Sequence, residues 1–396
     1  MERIQTAELL SIGTELTVGE TRDTNAGDLA RDLTRRGVVV ARITALPDDL
    51  AAVTAAFGEA LERAELVVST GGLGPTPDDL TREAVAARLG EEPAVDPALE
   101  AWLRELFDRR TLPFPDANRK QAWLIPSAVS IPNENGTAPG WLVERPDGRV
   151  IVTLPGPPRE MRPMWDGWVL PRLEARGLGR PIASVTLRLT GIGESAIADR
   201  LGDLLLGTSP QVATYARADA VDIRIWTHAE GGDATGAEAL VAATEARITD
   251  LLGEYVWARG ETTWPDAVRD ALEQRGWRLS TVEIGLRGAL AHLLGEGLAD
   301  RLAFTESLLE RPAPHDGRRA TLEQLAERVR EAGGTEVGVA TEARERGGDT
   351  AVTVAVASPA GSHRETRVAF LGGPLGRGRA AIATAAILLR HLRDRD

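Results

Sequence analysis

From Ala7 to Leu89 apolar runs alternate with stretches of helical spacing, and the third run, Leu66–Thr70, closes on a glycine-rich turn, STGGLGPTPDDLTRE (Ser69–Glu83). That alternation predicts βαβ units around a parallel sheet, the arrangement that most restricts the fold. Ala7–Ile12 reads as a buried strand. Leu29 and Leu33 recur at helical spacing after Asn25, a good N-cap, and the pattern stops at Gly37. VVVARITAL is a second strand, Asp49–Ala64 a helix, and LVVST a third strand. Crossovers between parallel strands are right-handed, so ligands are expected at the carboxyl ends of these strands.

Beyond Gly90 the pattern predicts a helical insert over Pro97–Arg109, a helix or its flank at Arg119-Lys120-Gln121, and strands in WLVE and VIVTL before the turn LPGPPRE. Arg, Gly and Pro dominate Pro171–Pro181, which reads as a linker. Residues 182–255 then read strand, helix, strand, helix, and a third unit starts near Trp264 and ends in an Ala-rich helix over Arg379–Leu392. The expected domains are residues 1–171, 172–255 and 256–396, in a mixed α/β chain whose middle module is α+β.

The formal charge is −13, from 46 basic and 59 acidic residues. Residues 1–171 carry 18 basic against 27 acidic side chains, 172–255 carry 8 against 12, and the remainder 20 against 20. No segment is basic enough to suggest a nucleic-acid module. Without cysteine, disulfides, thiolate metal sites and cysteine nucleophiles are excluded. No apolar run approaches a membrane span, and the start MERIQTAELL lacks the order of a signal peptide, so a cytoplasmic location is expected. Of the basic residues, only Lys120 is a lysine.

Gly71, Gly72 and Gly74 are placed to let backbone N–H groups close on a phosphate at a helix N-terminus. Asp78 and Asp79 at the same turn suit a bridging cation, although helix capping accounts for an Asp there as well. Three further segments fall where strands end. SIGTEL offers Thr14 and Glu15; NENGTAPGW offers Gly136 and Thr137; LPGPPREM offers Gly156 and Glu160, held by prolines. Each alone is also consistent with an ordinary turn, and together they describe one pocket. A lone lysine in an arginine-rich chain suggests a compact ammonium used as a phosphate contact, with chance retention the alternative.

The series SIGTEL, GETRDTNAGDLA, STGGLGPTPDDLTREAVA, ANRKQA, GTAPGW and LPGPPREMRPMW, in order, resembles the competence/damage-inducible protein CinA family over residues 1–171. The resemblance implies a three-layer MoaB/MogA-like domain with a parallel sheet, acting as a divalent-metal-dependent ADP-ribose pyrophosphatase that yields AMP and ribose 5-phosphate. On that reading Asp78 and Asp79, with Glu15 or Glu160, hold Mg²⁺ or Mn²⁺. Gly71, Gly72, Gly74 and Gly156 approach phosphate; Lys120 and Arg119 neutralise charge; Thr14, Asn25, Gln121, Gly136 and Thr137 contact the substrate. GIGESAIADRLGDL and the strands after it resemble the family's KH-like module. A homodimer is what the family suggests, and a recombination or repair protein is a conceivable partner. No direct nucleic-acid or membrane contact is expected.

Residues 256–396 correspond in position to the family's nicotinamide-nucleotide amidase domain, but depart from it. Its AESCTGG-like motif is TVEIGLRGALA here, with Ile284 at the nucleophile position and Arg287 for a glycine. The following segment has no Tyr or Lys, and ATEARERGG (Ala340–Gly348) replaces a TGIAGP-like loop. An inactive domain is expected: Ser280 and Ser307 are nearby hydroxyls, but with no lysine there neither can form a Ser-Lys nucleophile, and His292 reads as a packed or surface residue. The rival functions are binding of a molybdopterin-type nucleotide, residual amidase activity, and a non-catalytic scaffold.

Overall fold

The computed structural model describes residues 3–217, 220–229, 233–312 and 319–394. They form two compact units, Met1–Ile182 with His228–Ala237, and Ala183–Thr227 with Glu238–Asp396.

The first unit runs β1 (Thr6–Ile12), α1 (Thr14–Thr17), α2 (Asn25–Arg35), β2 (Val39–Leu46), α3 (Leu50–Arg63), β3 (Leu66–Thr70), α4 (Thr81–Leu89), β4 (Ala94–Val95) and α5 (Pro97–Arg109). A 3-10 helix, Asp116–Ala122, leads to β5 (Trp123–Leu124), β6 (Ala128–Ile131), β7 (Gly140–Glu144), β8 (Val150–Leu154), α6 (Pro158–Met164) and α7 (Leu170–Arg176). The main sheet has the order β2-β1-β3-β8-β7-β6. Its first four strands are parallel, and β7 and β6 are antiparallel.

Side chains of β3 alternate between two cores. Leu66 and Val68 pack with Leu29 and Leu33 of α2 and with Trp165, while Val67 packs with Val53 and Phe57 of α3 and Val85 of α4. The unit is therefore three layers, helices on both faces of the sheet. A strand buried on both faces has no polar side to show, which is why LVVST reads as a continuous apolar run.

Two sequence expectations shift. Asn25 is the first residue of α2 rather than its cap, and the Asp23 carboxylate accepts from the Ala26 N–H at 3.0 Å instead. The expected linker at Pro171–Pro181 begins as helix α7, because proline fits the first turn of a helix.

The second unit contains β9 (Ile182–Leu189), α8 (Glu194–Leu201), β10 (Gln211–Ala216), β11 (Val221–His228), α9 (Ala234–Leu252) and β12 (Val256–Arg259). Its four-stranded sheet has the order β10-β11-β9-β12. The short edge strand β10 was not expected from the sequence, and β12 carries this sheet past residue 255 by pairing antiparallel with β9. The rest comprises α10 (Trp264–Arg275), β13 (Leu279–Ile284), α11 (Ala289–Leu298), β14 (Leu302–Leu308), α12 (Leu322–Ala332), β15 (Val337–Arg346), β16 (Asp349–Ser358), β17 (Gly361–Ala369) and α13 (Gly373–Arg393). These strands form a sheet ordered β14-β13-β15-β16-β17. ATEARERGG is thus strand β15 followed by a glycine turn. The last helix begins at Gly373 rather than Arg379, with Pro374 in its first turn. Among the described residues no helix is long and apolar enough to cross a membrane.

Candidate active site

β3 lies between β1 and β8, so the turn after it emerges at the centre of the carboxyl edge of the parallel strands. Gly71 and Gly72 have φ of 97° and 64°, a region that only glycine enters freely. A Cβ would stand 2.0 Å from the Ile12 carbonyl oxygen at Gly71, and 2.3 Å from Thr81 Oγ1 at Gly72. The turn carbonyls face α4: Gly71 O accepts from Thr81 Oγ1 at 2.8 Å, Gly72 O from Thr81 N at 3.1 Å, and Leu73 O from Arg82 Nη1 at 2.8 Å. A trans peptide points its N–H opposite its carbonyl, so the amides of Gly72, Leu73 and Gly74 are turned away from α4.

The expected phosphate cradle is corrected in part. The Gly71 N–H donates to Leu154 O at 2.9 Å and the Gly74 N–H to Asp79 Oδ1 at 2.7 Å, so both are taken within the fold. Among the described residues, the amides of Gly72 and Leu73 have no protein acceptor. Asp79 organises the turn: besides Gly74 it accepts from the Thr76 N–H at 2.8 Å, and the Thr76 hydroxyl, which has one proton to give, stands between it and Asp78. Asp78 is exposed, and the Thr76 hydroxyl first, then its own backbone N–H, hold its carboxyl below the usual aspartate value.

Two other acids are placed by missing side chains. A Cβ on Gly136 would fall 1.9 Å from Glu160 Oε2, so that glycine makes room for a buried carboxylate, which accepts from Asn133 Nδ2 at 2.9 Å. At Gly13 a Cβ would lie 2.5 Å from Glu15 Oε1. Asp23 and Asp48 were missed in the sequence. Asp23 accepts from Ser11 Oγ at 2.5 Å as well as from Ala26 N, and Asp48 Oδ2 accepts from Thr14 N at 2.7 Å and Thr14 Oγ1 at 2.8 Å.

A cleft of about 570 Å³ gathers these groups, a size usual for small-molecule sites. Glu15, Asp23, Asp48, Asp78, Asp79 and Glu160 line it, and Arg22 is the one basic residue among its described walls. Gly71, Gly72, Gly74 and Gly156 also line it, as do Asn25, Gln121 and Thr137. Asn25 Nδ2 donates to Gly156 O at 2.7 Å, tying α2 to the turn after β8, and Gln121 Oε1 accepts from Asn118 Nδ2 at 2.7 Å.

Four expected site residues stand outside the cleft lining. Thr14 is occupied with Asp48, and Gly136 lies behind Glu160. Arg119 pairs with Glu100 at 3.3 Å. Lys120 pairs with Glu83 at 2.6 Å and donates to the carbonyls of Asp79 and Thr76, so it grips the turn from behind. Neither cation lines the cleft, and in the ligand-free structure each is paired with a local acid. Arg82, which the sequence did not single out, is wholly buried beneath the turn. Burial pushes its guanidinium down to about 10, against the opposing pull of Glu83 and Asp79, and it stays protonated at neutral pH.

Among the described residues no three acidic or imidazole side chains converge closely enough to hold a metal ion by themselves. The hard oxygen donors of the cleft fit a cation of the Mg²⁺ type, which takes one or two carboxylates and completes its shell with water and substrate phosphate.

Residues 8–175 match the model of the family described as "Probable molybdopterin binding domain", and residues 184–258 match the "Damage-inducible protein CinA KH domain". A CinA-like protein of Deinococcus deserti is 48% identical over 290 residues, covering 73% of this chain and 71% of that one. Another, from Thermomicrobium roseum, is 40% identical over 365 residues, covering 89% and 88%. The chain belongs to the CinA-like protein family. A crystal structure of the protein CinA, of unknown function, from Thermoplasma acidophilum shares 34% identity over 43% of this chain and 98% of that one, with a TM-score of 0.39.

In this CinA-like chain the turn after β13 has no nucleophile facing out. Ile284 is buried, and Arg287 holds φ 55° where a glycine would sit without strain. The Glu283 carboxylate, fully buried, accepts from Leu290 N at 2.8 Å at the start of α11. Ser280 is enclosed, accepting from Thr335 Oγ1 at 2.9 Å, and Ser307 lies on β14. His292 is exposed.

Proposed function

We propose that the cleft of the first unit is a divalent-cation-dependent nucleotide pyrophosphatase site that hydrolyses ADP-ribose to AMP and ribose 5-phosphate. One observation carries the reading: two unclaimed amides, Gly72 and Leu73, face away from α4 in a cleft lined by six carboxylates and a single arginine. Backbone N–H groups bind phosphate oxygens, while the surrounding acids repel a bare pyrophosphate. A bound Mg²⁺ or Mn²⁺ supplies the charge neutralisation that joins the two. Asp78 and Glu15, together with Asp79, are the side chains that would hold it.

The chain's own part is positioning. Gly72 and Leu73 fix the pyrophosphate, and Glu160, buried and held by Asn133, is the acid suited to orient a water. As the water oxygen bonds to phosphorus, the bridging P–O bond breaks, the leaving phosphate keeps the electron pair, and the water proton passes to a carboxylate of the cleft. The deciding experiment incubates purified full chain with ADP-ribose and with a pterin phosphate, with and without Mg²⁺. Metal-dependent AMP and ribose 5-phosphate support the reading. Tight pterin phosphate binding without hydrolysis would favour the molybdopterin-type ligand that the description of the matched family suggests.

A further inference from the structure

Arg82 is an expensive residue where it stands. Its side chain is completely enclosed, its Nε–H has no partner, and it occupies the second position of α4, where the helix dipole disfavours a cation. A buried charge is retained against such costs when it holds something that an apolar side chain could not. Its two terminal nitrogens each hold a backbone carbonyl. Nη1 donates to Leu73 O at 2.8 Å and Nη2 to Pro139 O at 2.9 Å. Leu73 belongs to the glycine turn, and Pro139 follows Thr137 and Ala138, which also line the cleft.

We infer that Arg82 is a positioning residue, whose planar guanidinium ties the Leu73 end of the glycine turn to the Pro139 loop and so fixes the turn whose Gly72 and Leu73 amides meet the ligand's phosphate. The inference rests on the pyrophosphatase reading of the same cleft. Its logic is local. Three successive carbonyls, those of Gly71, Gly72 and Leu73, are anchored by Thr81 Oγ1, Thr81 N and Arg82. The first two anchors come from the residue that starts α4 and hold Gly72 N–H and Leu73 N–H outward. The third closes the turn and is the only one of the three that also reaches the opposite loop. A guanidinium presents its donors in a rigid planar fork that spans two carbonyls at a fixed separation, whereas an ammonium is a compact charge on a flexible stem.

The test uses the full chain with Mg²⁺, reading the Kd for inorganic pyrophosphate and, separately, KM and kcat for ADP-ribose. Phosphate contacts present in ground and transition state alike affect KM more than kcat. Arg82→Lys should stay folded, raise Kd and KM about tenfold and change kcat less than about threefold. Arg82→Met should bind worse than Arg82→Lys, so that the conservative variant is a partial rescue. Should Arg82→Met fail to fold, Thr81→Val, which removes the neighbouring carbonyl anchor, should weaken pyrophosphate binding in the same way. Folded Arg82→Lys and Thr81→Val proteins with Kd and KM within about twofold of wild type would overturn the inference. So would a wild-type chain without affinity for pyrophosphate. Wild-type protein that binds pyrophosphate but leaves ADP-ribose intact removes the pyrophosphatase reading only, and the Kd comparison still decides the role of Arg82.

Discussion

Lys120 Nζ lies 2.6 Å from Glu83 Oε1, behind the glycine turn, and the same ammonium donates to the Asp79 carbonyl. The chain's only lysine therefore supports the cleft from outside it. Lys120→Met should lower stability by about 1–3 kcal/mol, since it strands a half-buried carboxylate and loosens the turn. Urea denaturation measures this. A variant of unchanged stability that has lost all ADP-ribose turnover would return Lys120 to the substrate.

Metal dependence follows from the acidity of the cleft. EDTA should lower hydrolysis by at least about 100-fold and Mg²⁺ or Mn²⁺ should restore it, because several kcal/mol of charge stabilisation is withdrawn. Asp78→Asn should act in the same direction while leaving the thermal midpoint near wild type, the side chain being exposed. The Asp78 carboxyl is held below its ordinary 3.8, chiefly by the Thr76 hydroxyl. Its ionised form is thus present above that value and lost only as pH falls through the lowered one. An acid limb of kcat/KM assigned to Asp78 should lie below pH 3.8, and Thr76→Val should move it upward.

The middle module should not bind single-stranded nucleic acid. A KH domain clamps the backbone through a G-x-x-G loop, and here the turn is Gly191-Ile192-Gly193-Glu194, with Glu194 starting α8 and accepting from Thr214 Oγ1 at 2.9 Å. An acid at that point repels phosphate. Titration of labelled single-stranded RNA with the full chain at physiological salt should show no saturation. Micromolar affinity that falls steeply with added salt would contradict this.

The second unit should release no ammonia from nicotinamide mononucleotide at rates usual for enzymes, about 1 s⁻¹ or more. An activated serine needs a base and oxyanion donors; Ile284 has no nucleophilic atom and is buried at the end of β13. Ile284→Ser alone should not create activity, because the only lysine lies in the other unit and arginine stays protonated. Ammonia release by a host-amidase-free preparation would require Ser307 or another hydroxyl to have taken over. Ser280 is closed off, since a Cβ on Gly333 would stand 2.1 Å from its Oγ.

Features with a local cause were readable in the sequence. The double-faced strands β1 and β3 show as apolar runs, α5 opens on Asp96 and Pro97, and the turn at Gly71-Gly72 shows as paired glycines because glycine enters positive φ without strain. The cleft's position follows too, since a parallel βαβ chain must bring its βα turns to one edge. Side-chain direction was different. Whether Lys120 faces substrate or Glu83, whether Thr14 contacts a ligand or Asp48, and whether Arg82 is surface or core depend on partners 37, 34 and 57 residues away. Charged residues carry no periodicity that reports such partners. Only the packing of the helices on the sheet decided that the conspicuous lysine pairs with Glu83, that two unremarked aspartates line the cleft, and that a buried arginine ties the glycine turn to the Pro139 loop.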